Sequence, residues 1–142
     1  MIKQLSIFVE NKAGRLAEIT AVLAQAGVDI RALSVADTTN FGILRLIVDK
    51  PDEAERILRE AGLTVSLTGV IAVGIPDRPG GFAAAMRALA DASIDIEYMY
   101  AFISRDEGRA CVILRVENTE AAVTALESNG IQLLGEDKVY TM

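Results

Sequence analysis

The sequence predicts an α+β fold of two βαββαβ units in tandem, each an antiparallel sheet carrying both helices on one face. Three observations predict it. The chain repeats itself at an offset of 66 to 68 residues, strand-like alternation and helical periodicity succeed one another in the same order in both copies, and each copy punctuates its elements with glycine at matching places.

With Gly14 aligned to Gly80, Val9–Val35 runs beside Ile75–Ala101 without a gap. Identities fall at Gly14/Gly80, Ala17/Ala83, Leu23/Leu89, Ala24/Ala90, Ala26/Ala92, Asp29/Asp95 and Ile30/Ile96, and Asn11/Asp77, Lys12/Arg78 and Leu16/Phe82 are conservative pairs. After a two-residue shift the match resumes with Leu46/Leu114, Val48/Val116, Ala54/Ala122, Leu58/Leu126 and Gly62/Gly130. The shift falls around Asp37–Gly42 and Ser104–Gly108, rich in turn formers, where insertion costs little. Two copies of one unit, residues 1–68 and 69–142, is the simplest account.

Ile2–Glu10 alternates with Leu5, Ile7 and Val9 on one side, as a half-buried strand does. From Gly14, the residues Leu16, Ile19, Leu23 and Ala26 recur at helical spacing until Gly27. Ile30–Asp37 and Phe41–Val48 alternate again as a strand pair. Pro51-Asp52 opens a second helix, with Ala54, Ile57, Leu58 and Ala61 on one stripe and Gly62 at its end. A short strand is expected at Thr64–Leu67. The second copy repeats this with strands Val70–Ile75, Asp95–Phe102, Arg109–Val116 and Gln132–Leu134 and helices Gly80–Ala92 and Thr119–Ser128. Lys138–Tyr140 is expected to add an edge strand. This element order is the ferredoxin-like one. On the sheet faces away from the helices, Ile43, Ile47, Cys111 and Ile113 accompany Arg45 and Arg115, so cover by another unit or chain is expected there. Thr68-Gly69 lacks linker composition, which predicts a rigid junction.

The 142 residues are 51% hydrophobic and 24% charged, ample for a packed core, and contain no tryptophan. The net charge of −6 divides as −1 for residues 1–68 (8 basic, 9 acidic) and −5 for residues 69–142 (6 basic, 11 acidic), which disfavours nucleic acid. The single Cys111 allows no internal disulfide and no thiolate metal cluster, and its apolar run marks it as a core residue. No apolar stretch approaches a membrane span, and strand-like sequence follows Met1 directly, so a cytoplasmic protein without a signal peptide is expected. Histidine is absent, which removes the commonest general base and metal ligand and weakens an enzymatic reading without closing it.

The informative segments are Asn11-Lys12-Ala13-Gly14-Arg15-Leu16 and Asp77-Arg78-Pro79-Gly80-Gly81-Phe82, each between a strand end and a helix start. Glycine lets backbone approach a guest closely, Pro79 fixes φ at the entry, and the first helical N–H groups lack internal partners and suit a carboxylate. Two roles stand open for Asn11 and Asp77: capping the helices, or touching a ligand. Gly14, Gly80 and Gly81 are required by backbone geometry in either case. Arg78 and Lys12 read as solvated, the Asp106-Glu107-Gly108 tip as without a role, and Tyr98, Tyr100 and Phe102, sharing one face, as core, interface or cavity wall.

Here the sequence resembles a known family. The Asp77–Gly80 turn with Phe82, Leu89 and Ile94-Asp95-Ile96 resembles the signature of the ACT domain, a small regulatory domain that binds amino acids. Asn11–Leu16 with Val28-Asp29-Ile30 resembles the form in the regulatory domains of phosphoglycerate dehydrogenases, and Ile96–Phe102 resembles stand-alone tandem ACT proteins of bacteria and archaea. The resemblance spans nearly the whole chain, so no attached catalytic domain is expected. It implies a non-catalytic regulator, not an enzyme, needing no cofactor or metal and binding an amino acid effector or similar small carboxylate between ACT units of a homodimer. A regulated enzyme is an implied partner; nucleic acid and membrane are not. By position, Asn11–Leu16 and Asp77–Phe82 would hold the ligand's carboxylate. Asp29 and Asp95, followed by Ile30 and Ile96, would meet its amino group from a partner unit. Two departures stand out: Ala13 replaces the usual proline, and Asp29 and Asp95 replace a common asparagine. The alternative is a protein-interaction or regulatory subunit without ligand binding. A carboxylate enzyme built on Asp29 and Asp95 is weaker still, since a whole repeat separates them.

Overall fold

The structure, a computed structural model, describes residues 1–37, 40–102 and 108–141. The chain forms two compact units: a first of Lys3–Thr68, and a second of Gly69–Met142 joined by Met1–Ile2. The elements run β1 (Ile2–Glu10), α1 (Arg15–Gln25), β2 (Ile30–Asp37), β3 (Phe41–Val48), α2 (Pro51–Glu60) and β4 (Thr64–Pro76). They continue as α3 (Gly81–Asp91), β5 (Ile96–Ala101), β6 (Arg109–Val116), α4 (Thr119–Ser128), β7 (Gln132–Leu134) and α5 (Glu136–Thr141). Each unit is thus an α+β, ferredoxin-like βαββαβ arrangement with an antiparallel sheet. Strand order is β4-β1-β3-β2 in the first unit and β7-β4-β6-β5 in the second.

Two elements differ from expectation. Thr64–Leu67 and Val70–Ile75 are parts of one 13-residue strand, β4, in which Ile71–Pro76 pair with β6 and Ala72–Gly74 with β7. Gly69 makes no turn there; the Met1 side chain lies where its Cβ would be. Lys138–Tyr140 lies in helix α5 and not in an edge strand. Its alternation is too short to separate strand from helix, and Val139, fully buried, anchors the helix on the second unit.

The first core gathers Leu5, Ile7 and Val9 of β1, Leu44, Leu46 and Val48 of β3, Ile19 and Leu23 of α1, and Ala54 and Leu58 of α2. The second repeats it with Ile71, Val73 and Ile75, Val112, Leu114 and Val116, Ala85 and Leu89, and Ala122 and Leu126. The strand residues are at alternate positions and the helical ones three or four apart, so one face of each element enters the core. On the opposite sheet faces Ile47, Cys111 and Ile113 are also buried. Arg115 on the same strand binds Glu97 (3.1 Å) and donates to the Gly69 carbonyl (3.0 Å).

Candidate functional site

Both strand-to-helix turns are built alike. In the first, the Lys12 amide donates to the Glu10 carbonyl (2.9 Å) and the Arg15 amide to Lys12 (3.3 Å). In the second, the Arg78 amide donates to Pro76 (2.9 Å) and Gly81 to Arg78 (3.1 Å). The residue before each helix, Gly14 or Gly80, has φ of 82° or 88°, a left-handed conformation that disfavours any side chain. Neither helix start receives a side-chain cap. Among the described residues, the amides of Leu16 and Ala17, and of Phe82 and Ala83, have no acceptor.

The capping role held open for Asn11 and Asp77 is therefore not the one found: glycine occupies both cap positions. The Asn11 backbone donates to Asn40 (3.0 Å) and its side chain to the Phe41 carbonyl (3.2 Å), which ties the end of β1 to the start of β3. The Asp77 backbone repeats the first bond toward Gly108 (3.1 Å). Gly81 has a separate reason to be glycine, since a Cβ would collide with the Pro76 carbonyl.

The surroundings of the two turns differ. Beside the first is an open groove of about 400 Å³ lined by Glu10, Asn11, Lys12, Ala13, Arg15 and Leu16 with Val9 and Val35. Arg15 is neutralised there by Glu18 at 3.0 Å. Beside the second is a cavity of about 540 Å³ in which Arg78, Pro79, Gly80 and Gly81 meet residues from three further places: Gly74 on β4, Arg109 on β6 and Gln132 on β7. Gly74 pairs with Gln132, and Pro76 with Arg109. A Cβ on Gly74 would come within 3.4 Å of Gln132 Oε1 and 3.7 Å of Arg109 Cδ, so the bare backbone forms a floor between these two side chains. Asp77 and Phe82 do not line the cavity, and Phe82 is exposed. Sequence reasoning missed Gly74, Arg109 and Gln132. The repeat held the signal, for Phe8 and Phe41 stand at the positions of Gly74 and Arg109.

Asp29 and Asp95 are not brought to the turn of their own unit. Glu10 pairs with Phe41 at one end of β3, whereas Ile30 pairs with Val48 at the other, seven residues or about 23 Å along the strand. The second unit repeats this, with Pro76 opposite Arg109 and Ile96 opposite Val116. Asp29 binds Arg31 at 2.5 Å and its amide donates to Asp49 (2.9 Å); Asp95 shares a pocket with Glu117 and Asn118. Ile30 and Ile96 pack against the two cores. Tyr98 and Tyr100 stack with ring centroids 6.5 Å apart. Asp106 and Glu107 of the predicted loop tip lie outside the described residues.

Among the described residues no cluster of carboxylates and thiols suits a metal, and no helix is long and apolar enough to cross a membrane. The repeated turn and the two matching sheets point to one family, and its sequence profile, an ACT domain pair, matches residues 1–142. The chain belongs to the ACT domain pair family. Protein BT0572 from Bacteroides thetaiotaomicron is similar over 99% of this chain and 96% of its own, with 37% identity and a TM-score of 0.93. The regulatory subunit of aspartate kinase from Thermus thermophilus, in a ligand-free form, shares the ACT pair's fold at 21% identity and a TM-score of 0.67, over 89% and 91% of the two chains. That from Thermus flavus does so at 20% identity and 0.56, over 92% and 94%. No curated protein matches the sequence significantly.

Proposed function

We propose that this ACT pair is a non-catalytic regulatory protein that binds an amino acid or similar small carboxylate at its strand-to-helix turns. The observation that carries the reading is the pair of acceptor-free amides at each helix start, in a turn whose cap is glycine and so leaves the approach open. Such amides, at the positive end of a helix dipole, favour an anion. That the similar aspartate kinase chains are regulatory subunits supports a regulatory role. Because Asp29 and Asp95 lie far from the turns of their own units, the reading assigns them to the ligand's amino group only across modules of an assembly, a cytoplasmic homodimer. Effector binding would then favour the assembled state by its differential affinity, and a regulated enzyme would read that state.

Thermal-shift screening of the twenty amino acids on the full chain, followed by calorimetry, tests this. A stabilising, saturable binder is expected. Silence across the whole set would sink the reading and favour the alternative, an interaction subunit without a ligand. The half-exposed Phe8 and Phe41 of the first unit are the observation on its side.

A further inference from the structure

We propose that the effector site is confined to the second unit and takes a ligand with two carboxylate groups, which Arg78 and Arg109 receive over the Gly74 floor. The proposal rests on the effector-binding reading above and narrows it to one repeat and one chemical class.

The arginines supply the first argument. Arg15, Arg31, Arg56, Arg59, Arg87 and Arg115 each pair with a carboxylate of the chain. Arg78 and Arg109 have no such partner among the described residues, and both line the same cavity. This occurs in the half of the chain that carries a net charge of −5, where partners are abundant. Among the described residues, no aspartate or glutamate lines that cavity. Two guanidinium groups with no carboxylate between them among the described residues offer forked donors to two anionic groups, with Gln132 Oε1 and backbone carbonyls left for any donor the ligand carries.

The repeat supplies the second argument. Gly74 on β4 corresponds to Phe8 on β1, and Arg109 on β6 to Phe41 on β3. The registers agree, with Phe8 opposite Ile43 where Gly74 faces Cys111, and Glu10 opposite Phe41 where Pro76 faces Arg109. Phe8 and Phe41 stack at a centroid distance of 5.1 Å, so the first unit fills with aromatic rings the place the second leaves open. Gly81 and Ala84 likewise correspond to Arg15 and Glu18, an ion pair that consumes its own charge. Glu10 adds a negative charge to the first groove. The first turn keeps the backbone of a binding site beside a smaller groove, in which Glu10 accompanies Lys12 and Arg15 is already paired with Glu18.

Calorimetry on the full chain with succinate, aspartate, glutamate, alanine and sulfate tests the proposal. A dicarboxylate is expected to bind once per chain, with alanine and sulfate weaker by tenfold or more, roughly the loss of one charge-assisted contact. Succinate and aspartate distinguish a plain dicarboxylate from an acidic amino acid. Arg109→Gln should weaken binding about 10- to 100-fold while circular dichroism and melting stay unchanged. Gly74→Phe, which copies the first unit, should abolish it, and Phe8→Ala should leave it intact. Two sites per chain, loss of binding in Phe8→Ala, or sulfate binding as tightly as dicarboxylates would overturn the proposal. So would alanine binding undiminished in Arg109→Gln, although the effector reading would then survive. Silence with these five compounds, beside a positive screen of other amino acids, would likewise remove this inference alone.

Discussion

The Asn11 side chain donates to the Phe41 carbonyl across 3.2 Å, joining the first residue after β1 to the first residue of β3. The bond holds the turn from outside and leaves the helix amides untouched. Asn11→Ala should therefore lower stability by about 1 kcal/mol, the usual net value of one such bond. Ligand affinity at the second unit should not move. Urea unfolding and calorimetry on the same preparation check both, and a loss of affinity would show that Asn11 acts on the ligand site.

The two glycines at the start of α3 should fail in different ways when replaced. Gly80 has φ of 88° and open space around its Cβ position, so Gly80→Ala costs only the left-handed strain, roughly 1–2 kcal/mol. Gly81→Ala pushes a methyl onto the Pro76 carbonyl, a backbone atom that cannot swing aside. It should cost more than Gly80→Ala and reshape the cavity floor. Equal melting temperatures for the two variants would contradict this.

Leu23 and Leu89 occupy matching positions on α1 and α3, and both are buried to within 1%. Replacing either by alanine should cost about 2–5 kcal/mol, the range for a fully buried leucine. Equilibrium denaturation monitored by circular dichroism measures it. A cost under 1 kcal/mol at either site would mean that the repeat equivalence does not extend to packing.

Asp29 binds Arg31 while remaining 62% exposed at its side chain. Arg31, 17% exposed, is the more buried partner, but asparagine in place of Asp29 keeps an acceptor within its reach, so the loss should stay within about 1 kcal/mol, the value for an exposed pair. Asp29→Asn should accordingly leave melting nearly unchanged at moderate salt. If Asp29 serves a ligand across an assembly, the same variant should weaken amino acids while sparing dicarboxylates without an amino group, a contrast calorimetry resolves directly.

The fold was legible because its signals are local and doubled. Leu5, Ile7 and Val9 announce a strand by alternation, Ile19 and Leu23 a helix by spacing, and their partners 66 residues on repeat the pattern. Thr64–Leu67 and Val70–Ile75 carry separate apolar patterns on either side of Thr68-Gly69, and no local signal joins them into the single strand β4. The turns were legible as backbone motifs. The cavity was not, because Gly74, Arg109 and Gln132 come from three strands whose register no local pattern specifies. What the sequence did hold was a contrast: aromatic residues in one copy facing a glycine and an arginine in the other.

The stacked Tyr98 and Tyr100 carry a practical consequence. With Tyr140 they are all the tyrosines of a chain that lacks tryptophan, and all three belong to the second unit. Intrinsic fluorescence is thus a spectroscopic label on one repeat, whereas far-ultraviolet dichroism averages both. Two superimposable denaturation traces would report a single cooperative event, and separated ones would resolve two melting domains without any introduced probe.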